Sequence, residues 1–419
     1  MAIANDTANL NRIAPFKVLM SAYACRPNTG SEVGTGWNWV IHLAEAGCEL
    51  HVFTAARNRE ANEKFLAEHS FPNLHFHFVD VPWMSPWSPS TKHYLLWKWK
   101  TRQGAKQLAR TERFDLALHV SYGSVHFPTQ LWRLGIPTIF GPVGGGQTAP
   151  AALLRYFGAH QRGEKLRTLA TRILPLLPFY RHSMRKMRMV LAANSDTMAL
   201  ARRAGAKDVR LMCDTGLRED YAAEGSRQFM PSETIRLVWV GRFHPRKGLG
   251  LALDALQHTA SNIHLTLVGD GLKPEQLEAM LAERGLNERV HWSGQRQSWM
   301  EVRDTFRQHD ALLFTSLRDT FGSQLLEAMS QGLPFVTLSM SGARDFLPSD
   351  GGFKVEPGED ADQTVQRMTA ALNQFAALTI EERNKMSEVV WQAAQGFSWE
   401  RRVETMQEIF TEIRGDRRV

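Results

Sequence analysis

Residues 310–334 read DALLFTSLRDTFGSQLLEAMSQGLP, and this stretch decides the fold. The apolar run at 311–315 predicts a buried strand, and the polar residues 316–320 are typical of a turn. From residue 321 the pattern favours a helix, which Gly332 and the proline that follows bring to an end. A strand, a polar turn and a helix in this order are typical of an α/β protein with a parallel sheet.

The start of this predicted helix has the chemistry of a binding site. Free backbone amides at a helix start attract anions, so a diphosphate is a natural ligand. Glu327 lies about one turn into the helix, and its carboxylate can accept hydrogen bonds from a diol such as the hydroxyls of ribose. Asp319 precedes the helix on the turn side of the same pocket.

Length and charge indicate two domains. The chain has 419 residues, of which 43% are hydrophobic and 22% charged, and this composition is long enough for two full cores. Residues 1–217 contain 27 Lys and Arg against 14 Asp and Glu, whereas the remainder contains 23 against 29. A basic half beside an acidic half predicts one domain that meets an anionic surface or substrate.

The cysteines and the apolar runs favour a cytoplasmic protein. Cys25, Cys48 and Cys213 are far apart, so neither a zinc motif nor a disulfide framework is indicated, and we expect buried, inert thiols. Residues 1–15 have no signal or transit peptide pattern, and no run of 18 apolar residues occurs. We therefore predict a cytoplasmic location, with peripheral contact at the inner face of the plasma membrane as a further hypothesis.

Strand and helix patterns alternate through both halves and predict two doubly wound, Rossmann-like sheets that face each other across a cleft. We place an N-terminal acceptor-side domain at 1–217, a linker at 218–234 and a C-terminal donor-binding domain at 235–396. The final segment, 397–419, is predicted as a helix that crosses back to the first domain. The Gly-rich loop around Gly30 follows the first strand, and by itself it is equally compatible with a tight turn.

Two basic segments leave alternatives open. Residues 91–111 combine Trp and Lys, and residues 151–190 contain nine Lys and Arg but a single acid, Glu164. Both are candidate contacts for an anionic membrane surface, although a solvated helical hairpin explains the second segment equally well. No nucleic-acid-binding motif occurs, so we expect no nucleic acid partner.

Three further residues carry candidate chemistry. Arg242 and Lys247 lie between a predicted strand and a helix, where an Arg fork and a Lys point charge suit phosphate. As isolated surface cations they would mean little, but together with glycine loops and two acids they indicate a nucleotide diphosphate site. His119 lies near the carboxyl end of a predicted strand, where doubly wound folds bind ligands, although a structural role is the more common one for a histidine.

These residues resemble a known family. The motifs are Gly241-Arg242, Lys247-Gly248, Leu267-Val268-Gly269-Asp270, Gly294, and Asp319 with seven residues before Glu327. In combination they are similar to the retaining glycosyltransferases of family four, the group 1 transferases of GT-B fold. The N-terminal Gly30-Ser31-Glu32, His119 and the run Gly141 to Gly145 resemble a bacterial branch of that family.

The resemblance implies a transferase that moves a sugar, a hexosyl group, from a UDP- or GDP-sugar to a glycan or lipid-linked oligosaccharide in bacterial surface polysaccharide synthesis. It implies catalytic roles for His119, Asp319, Arg242 and Lys247, and places Glu32 on the acceptor side. The donor-binding residues that it implies are Gly30, Arg242, Lys247, Arg296, Phe321, Gly322, Ser323 and Glu327. It also implies retention of anomeric configuration without a metal or other cofactor, because Arg and Lys would neutralise the departing diphosphate.

The sequence departs from the family pattern at Asp319, where Glu is usual. The side chain is one methylene shorter, which changes the reach of the carboxylate but retains its charge. We interpret this as a variation that affects the choice of sugar. The alternative is a catalytically weakened nucleotide-sugar or glycan-binding protein of the same fold. A nicotinamide-dependent dehydrogenase is disfavoured, because no Gly-x-Gly-x-x-Gly fingerprint follows the first strand.

Overall fold

The computed structural model describes residues 15–82, 90–294 and 298–416. Seven strands form the first sheet: β1 (Lys17–Ala22), β2 (Glu49–Ala55), β3 (Leu74–Val79), β4 (Leu116–Ser121), β5 (Thr138–Val143), β6 (Met189–Ala192) and β7 (Val209–Leu211). They are all parallel, in the order β3-β2-β1-β4-β5-β6-β7. The helices of this half are α1 (Ser31–Glu45), α2 (Arg59–Glu68), α3 (Thr91–Leu108), α4 (Gln161–Ile173), α5 (Pro178–Lys186) and α6 (Ser195–Arg203).

Six strands form the second sheet: β8 (Ile235–Val240), β9 (Ile263–Val268), β10 (Val290–Trp292), β11 (Ala311–Phe314), β12 (Phe335–Leu338) and β13 (Gly352–Val355). They are also parallel, in the order β10-β9-β8-β11-β12-β13. Its helices are α7 (Leu249–Gln257), α8 (Pro274–Ala282), α9 (Trp299–Arg307), α10 (Ser323–Ser330), α11 (Ser341–Phe346), α12 (Ala361–Ala377) and α13 (Ile380–Gln395). A last helix, α14, spans Trp399–Gly415.

The strand sequences explain why both sheets are covered on both faces. Strands such as β4 and β11 are buried along their whole length, which is typical of parallel strands between two layers of helices. In each sheet the strand order reverses between two central neighbours, β1 and β4 in the first and β8 and β11 in the second. Ligands bind beyond the carboxyl ends of strands at such switch points, so the loops there are the place to look for a site.

The C-terminal helix packs on the first sheet's core, as the sequence predicted. The Trp399 ring lies 5.3 Å from Trp39 in an edge-to-face arrangement, and the Phe410 ring lies 5.4 Å from Phe16. Aromatic pairs of this geometry contribute about 0.5–1.5 kcal/mol beyond their buried area. The chain therefore crosses back from the second sheet to the first. The exact domain boundaries stay predictions.

Residues Ala151–His160 form a 3-10 segment that joins the two halves. Leu153 and Phe157 are buried in the same hydrophobic cluster as Trp239 of the second sheet. The prediction of one interfacial surface over 151–190 is therefore wrong for these two side chains, because they pack inside the protein. No helix in the three described ranges is long and apolar enough to cross a membrane.

Candidate functional site

Two loops of the second half meet beside the start of α10. One follows β8 and ends at Gly248, and the other joins β11 to α10 through Gly322. Gly248 has φ +72°, and a Cβ there would lie 2.1 Å from the carbonyl oxygen of Thr315. Gly322 has φ +99°, and its Cβ would lie 2.6 Å from the Phe314 ring. Both positions favour glycine, and Gly248 allows its loop to pack directly against the backbone of the second loop.

Lys247 and Asp319 form an ion pair where these loops meet. Arg246 adds a second cation, 3.6 Å from Asp319 Oδ1, and the Ser316 hydroxyl donates to Oδ2 at 3.3 Å. Burial favours the neutral form of Asp319, but the charges of Lys247 and Arg246 outweigh it and lower the pKa of this carboxyl. Asp319 is therefore a carboxylate at neutral pH, and a positive group lies directly beside the start of α10.

Glu327 is the second acid of this group, half-buried on α10. Burial raises its pKa to about 7, although interactions with the side chains of Ser323 and Trp299 and the charge of Lys247 oppose the increase. A cationic or hydrogen-bond-donating ligand would favour the carboxylate form of Glu327. The predicted group of Lys247, Asp319 and Glu327 is brought together beside the amides at 321–323.

The residue after Asp319 makes direct contacts across the cleft. The Thr320 hydroxyl accepts a hydrogen bond from Gln147 Nε2 at 3.2 Å, and the Thr320 carbonyl accepts from Asn194 Nδ2 at 3.1 Å. A Cβ on Gly144 would lie 2.4 Å from the Thr320 hydroxyl. The glycine run of the first domain thus lets its backbone approach the turn that carries Asp319.

The residue before Asp319 also reaches the first domain. Arg318 Nε lies 2.8 Å from Glu164 Oε1, and this carboxylate, on α4, is almost completely buried. Arg167 lies 3.9 Å from the same carboxylate and donates to the carbonyl of Gly145 at 2.9 Å. The sequence analysis did not predict this contact between the domains. The signal was present, because Glu164 is the single acid among nine cations, and a lone acid in such a segment suggests a partner.

Glu32 of the first domain binds to its own domain. Its Oε1 accepts a hydrogen bond from the Gly123 amide at 2.6 Å, which ties α1 to the loop after β4. Gly30, directly before α1, has open space around it, because a Cβ there would meet nothing within 4 Å. Gly30 is therefore not needed for packing, and its backbone is accessible to a ligand.

His119 is buried in β4. Its Nδ1 lies 3.1 Å from the Ser21 hydroxyl and its Nε2 lies 3.3 Å from the carbonyl oxygen of Tyr122. Burial lowers the pKa of His119 to about 4, so the ring is neutral at pH 7. No hydrogen bond or ion pair joins it to the part of the second domain that the structure describes. A direct contact between His119 and a donor sugar would require His119 to replace one of these two hydrogen bonds with a bond to the sugar.

A further acid, Asp214, interacts electrostatically with two of the predicted site residues but was not among them. It lies between β7 and β8, and burial raises its pKa to about 7. The negative charges of Asp319 and Glu32 add to this effect, so Asp214 interacts with an acid of each domain. The only indication of Asp214 in the sequence was its position just before the predicted linker.

Two predicted donor residues are not part of this group. Arg242 is exposed and forms no ion pair with the residues that the structure describes. Arg296 lies outside the described residues. The structure thus brings Lys247, Asp319 and Glu327 together beside the start of α10, whereas Arg242 is an exposed side chain of the loop after β8.

Comparison with known proteins agrees with this geometry. Residues 225–390, which include both loops, match the family model for glycosyl transferases group 1. This segment of the chain is therefore similar to the group 1 glycosyl transferases. A lipopolysaccharide 1,6-galactosyltransferase of Salmonella typhimurium is 36% identical over 126 residues, 29% of this chain and 35% of that protein. The core biosynthesis glycosyltransferase LpsD of Rhizobium meliloti is 32% identical over 113 residues, 27% of this chain and 32% of that protein.

The matched region spans about a third of the length of these curated relatives. Solved structures match along nearly the whole chain. The lipopolysaccharide outer core galactosyltransferase WaaB has a TM-score of 0.65 at 18% identity, covering 95% of this chain and 100% of its own. HepE of Anabaena, with UDP and glucose, has a TM-score of 0.60 at 18% identity and the same coverage. The predicted α/β GT-B fold is confirmed, and the predicted resemblance to the group 1 transferases is confirmed for residues 225–390.

Proposed function

We propose that this protein is a retaining glycosyltransferase that moves a hexosyl group from a UDP- or GDP-sugar to a glycan or lipid-linked oligosaccharide in bacterial surface polysaccharide synthesis. The observation that carries the proposal is the Lys247–Asp319 pair beside Glu327 and the start of α10, at the switch point of the family-matched domain. The relatives named for lipopolysaccharide synthesis support the acceptor class.

The donor's diphosphate would bind at the amides of residues 321–323, beside Lys247 and Arg242. Positive charge at this place stabilises the negative charge that develops on the departing diphosphate. Glu327 would accept hydrogen bonds from the ribose hydroxyls, and Asp319 from hydroxyls of the transferred sugar. Gly30 would approach the diphosphate from the other domain, with Glu32 nearer the acceptor and His119 supporting the reaction centre from within β4.

The reaction in this proposal needs no metal ion or other cofactor. Lys247 and Arg246 already lie beside the acid that a divalent ion would otherwise bind, so the local charge is balanced by side chains. Developing charge on the leaving diphosphate would be neutralised by Lys247 and Arg242 instead. Retention of configuration follows from the family resemblance.

A donor-hydrolysis assay tests the proposal. The purified protein is incubated with UDP- and GDP-sugars, with EDTA present, and the products are followed by NMR, which also shows the anomer released first. We expect slow release of the α-anomer from an α-linked donor. If the protein neither turns over any of these donors nor binds the free nucleotides, the proposal is wrong.

Asp319 supports a second candidate, the catalytically weakened binding protein. Its shorter carboxylate is held by Lys247 and Arg246, which limits its reach towards a sugar. In this case the protein binds nucleotides without turnover, and Asp319→Glu restores hydrolysis. If wild-type protein turns over a donor at least as fast as Asp319→Glu, this second candidate is excluded.

We further propose that α4 and α5 contact an anionic membrane surface. Leu166, Leu169 and Phe179 are 67%, 53% and 68% exposed, an unusual state for large apolar side chains. Exposed cations, including Arg162, Lys165 and Arg172, lie on the same face of α4 as the leucines. Apolar side chains flanked by cations are typical of helices that lie at the headgroup layer. On α3, Leu95, Leu96 and Trp99 are also exposed and form a second candidate membrane contact.

Vesicle sedimentation tests the membrane contact. We expect binding to anionic vesicles that weakens with salt, and clear loss of binding for a Leu166→Ser, Leu169→Ser double variant. Met230→Ser is the matched control, because Met230 is 76% exposed but lies far along the chain from this surface. Equal and negligible binding to anionic and neutral vesicles would exclude the contact.

A further inference from the structure

A cluster of histidines lies at the edge of the first sheet, away from the cleft. Glu49 and His51 are two residues apart on β2, and His75 pairs with His51 across to the edge strand β3. Their side chains therefore project from the same face of the sheet. The ligand atoms of Glu49, His51 and His75 all lie within 4.8 Å of one another.

His51 is the central member of this cluster, and one of its nitrogens has no partner. The residue is only 8% exposed, and its Nε2 makes no hydrogen bond. Glu49 Oε1 lies 3.6 Å from this nitrogen, which is too long for a hydrogen bond. A buried polar atom without a partner is uncommon in native proteins and requires an explanation.

The other nitrogen of His51 is held by a neighbour. His51 Nδ1 lies 3.2 Å from His77 Nε2. When Nδ1 donates its proton to His77, the lone pair of His51 lies on Nε2 and faces Glu49 and His75. Histidines that bind metals are commonly oriented in this way by a hydrogen bond from their other nitrogen.

We propose that Glu49, His51 and His75 form a binding site for a divalent transition metal ion of the zinc class, with His77 orienting His51. Two imidazoles and a carboxylate are ligands that zinc uses in proteins, and a water can complete the coordination. Ligand atoms about 2.1 Å from a tetrahedral ion lie about 3.4 Å apart. Small rotations of the exposed His75 and the half-exposed Glu49 would bring the three atoms to this spacing.

The site is separate from the proposed reaction. It lies near the amino ends of β2 and β3, and the carboxyl end of β2, Ala55, is four residues after His51, about 13 Å at the usual rise. The bound ion would connect the edge strand β3 to β2. Metal binding here therefore does not depend on the proposed transferase function, and either can fail without the other.

Lys17 is the competitor for this site. Its Nζ lies 2.7 Å from Glu49 Oε1 and 2.8 Å from Glu112 Oε2. When an ion takes the Glu49 carboxylate, Lys17 keeps Glu112 as a partner. Its charge still repels the ion, so replacing Lys17 with an uncharged side chain of similar length should tighten metal binding.

Cobalt titration of the full-length protein without an affinity tag tests the proposal. We expect one Co²⁺ per chain with visible absorption bands of a low-coordinate site, which Zn²⁺ displaces. His75→Ala should weaken binding at least about tenfold. His291→Ala should leave it unchanged, because His291 is likewise exposed on an edge strand, β10 of the other sheet.

Lys17→Met gives a second, opposite readout, because it should tighten Co²⁺ binding severalfold. A merely structural role of the cluster would not produce tighter binding. Circular dichroism of each variant confirms that it is folded. Equal Co²⁺ affinity of wild type and His75→Ala, weaker binding by Lys17→Met, or no stoichiometric binding by the wild type would overturn the proposal.

Discussion

The two walls of the cleft use their polar residues differently. In the second domain, Lys247, Asp319 and Glu327 act on one another beside a helix start. In the first domain, Glu32 and His119 bind to the backbone or hydroxyl groups of their own domain. The wall of the second domain thus carries charged side chains that interact with one another, whereas Glu32 and His119 on the other wall are held by groups of their own domain. Substitutions on the two walls should therefore show their effects in different assays.

The largest expected effect is that of Lys247→Ala. Removal of the cation beside the departing diphosphate should lower kcat/KM for donor hydrolysis by about 10²–10³. Lys385→Ala, an exposed lysine on α13, should leave kcat/KM unchanged. Thermal unfolding of each variant separates loss of catalysis from loss of fold. Unaltered kcat/KM in a folded Lys247→Ala protein would show that this wall does not carry the charge chemistry.

Glu327→Gln should have the next largest effect. A hydrogen bond to a charged group contributes about 1.5–3 kcal/mol, so KM for the donor should rise roughly 10- to 100-fold. The matched control is Glu381→Gln, in the exposed first turn of α13. Steady-state kinetics with the best donor gives both values. A KM change no larger than that of the control would remove Glu327 from the donor site.

His119→Asn should change stability and its pH dependence. In the folded protein the pKa of His119 is about 4, whereas an unfolded histidine has about 6.5. Between pH 4 and pH 6.5 the imidazole is protonated in the unfolded chain but neutral in the folded one. The free energy of unfolding therefore falls as the pH decreases from 6.5 to 4. The free energy of unfolding is therefore higher above pH 6.5 than below pH 4, by an amount on the order of 3 kcal/mol.

Urea unfolding of the wild type and His119→Asn at pH 7 and pH 5 checks this prediction. The variant should be less stable at pH 7, and the difference should shrink at pH 5. His291→Asn, which replaces an exposed histidine, should show no such change. A difference that is the same at both pH values would contradict the burial of a neutral His119.

Gly30→Ala is the smallest expected effect on stability. A Cβ at Gly30 meets nothing within 4 Å, so the free energy of unfolding should stay within about 0.5 kcal/mol. Gly36→Ala is the contrast, because its Cβ would lie 2.0 Å from the carbonyl oxygen of Ala24. Overpacking of this kind costs about 1–3 kcal/mol. A raised donor KM in Gly30→Ala, without loss of stability, would show that the backbone there approaches the ligand.

Local sequence patterns predicted the fold because buried parallel strands, glycine loops and helix starts are encoded within short stretches. Residues 310–334 predicted β11, the turn and α10 in this way. The Lys247–Asp319 pair was harder, because 72 residues separate its members and only the adjacency of β8 and β11 brings them together. The motif resemblance placed both residues in one site, but it could not show that they bind each other.

The contacts between the domains were the least predictable. The pairing of Glu164 with Arg318 depends on how the two sheets are placed relative to each other, which no periodicity encodes. The same is true of Thr320 with Gln147 and Asn194. For His119, the strand was predicted, but its partner Ser21 lies 98 residues away on the neighbouring strand. Long-range partners of polar side chains therefore required the structure.

The most direct test of the two-wall account is a calorimetric titration of UDP and GDP into the wild type, Glu327→Gln and His119→Asn. The account predicts that one nucleotide binds the wild type, that Glu327→Gln weakens it at least about tenfold, and that His119→Asn leaves it unchanged. Binding that is lost in His119→Asn but kept in Glu327→Gln would contradict the placement of the donor on the second domain.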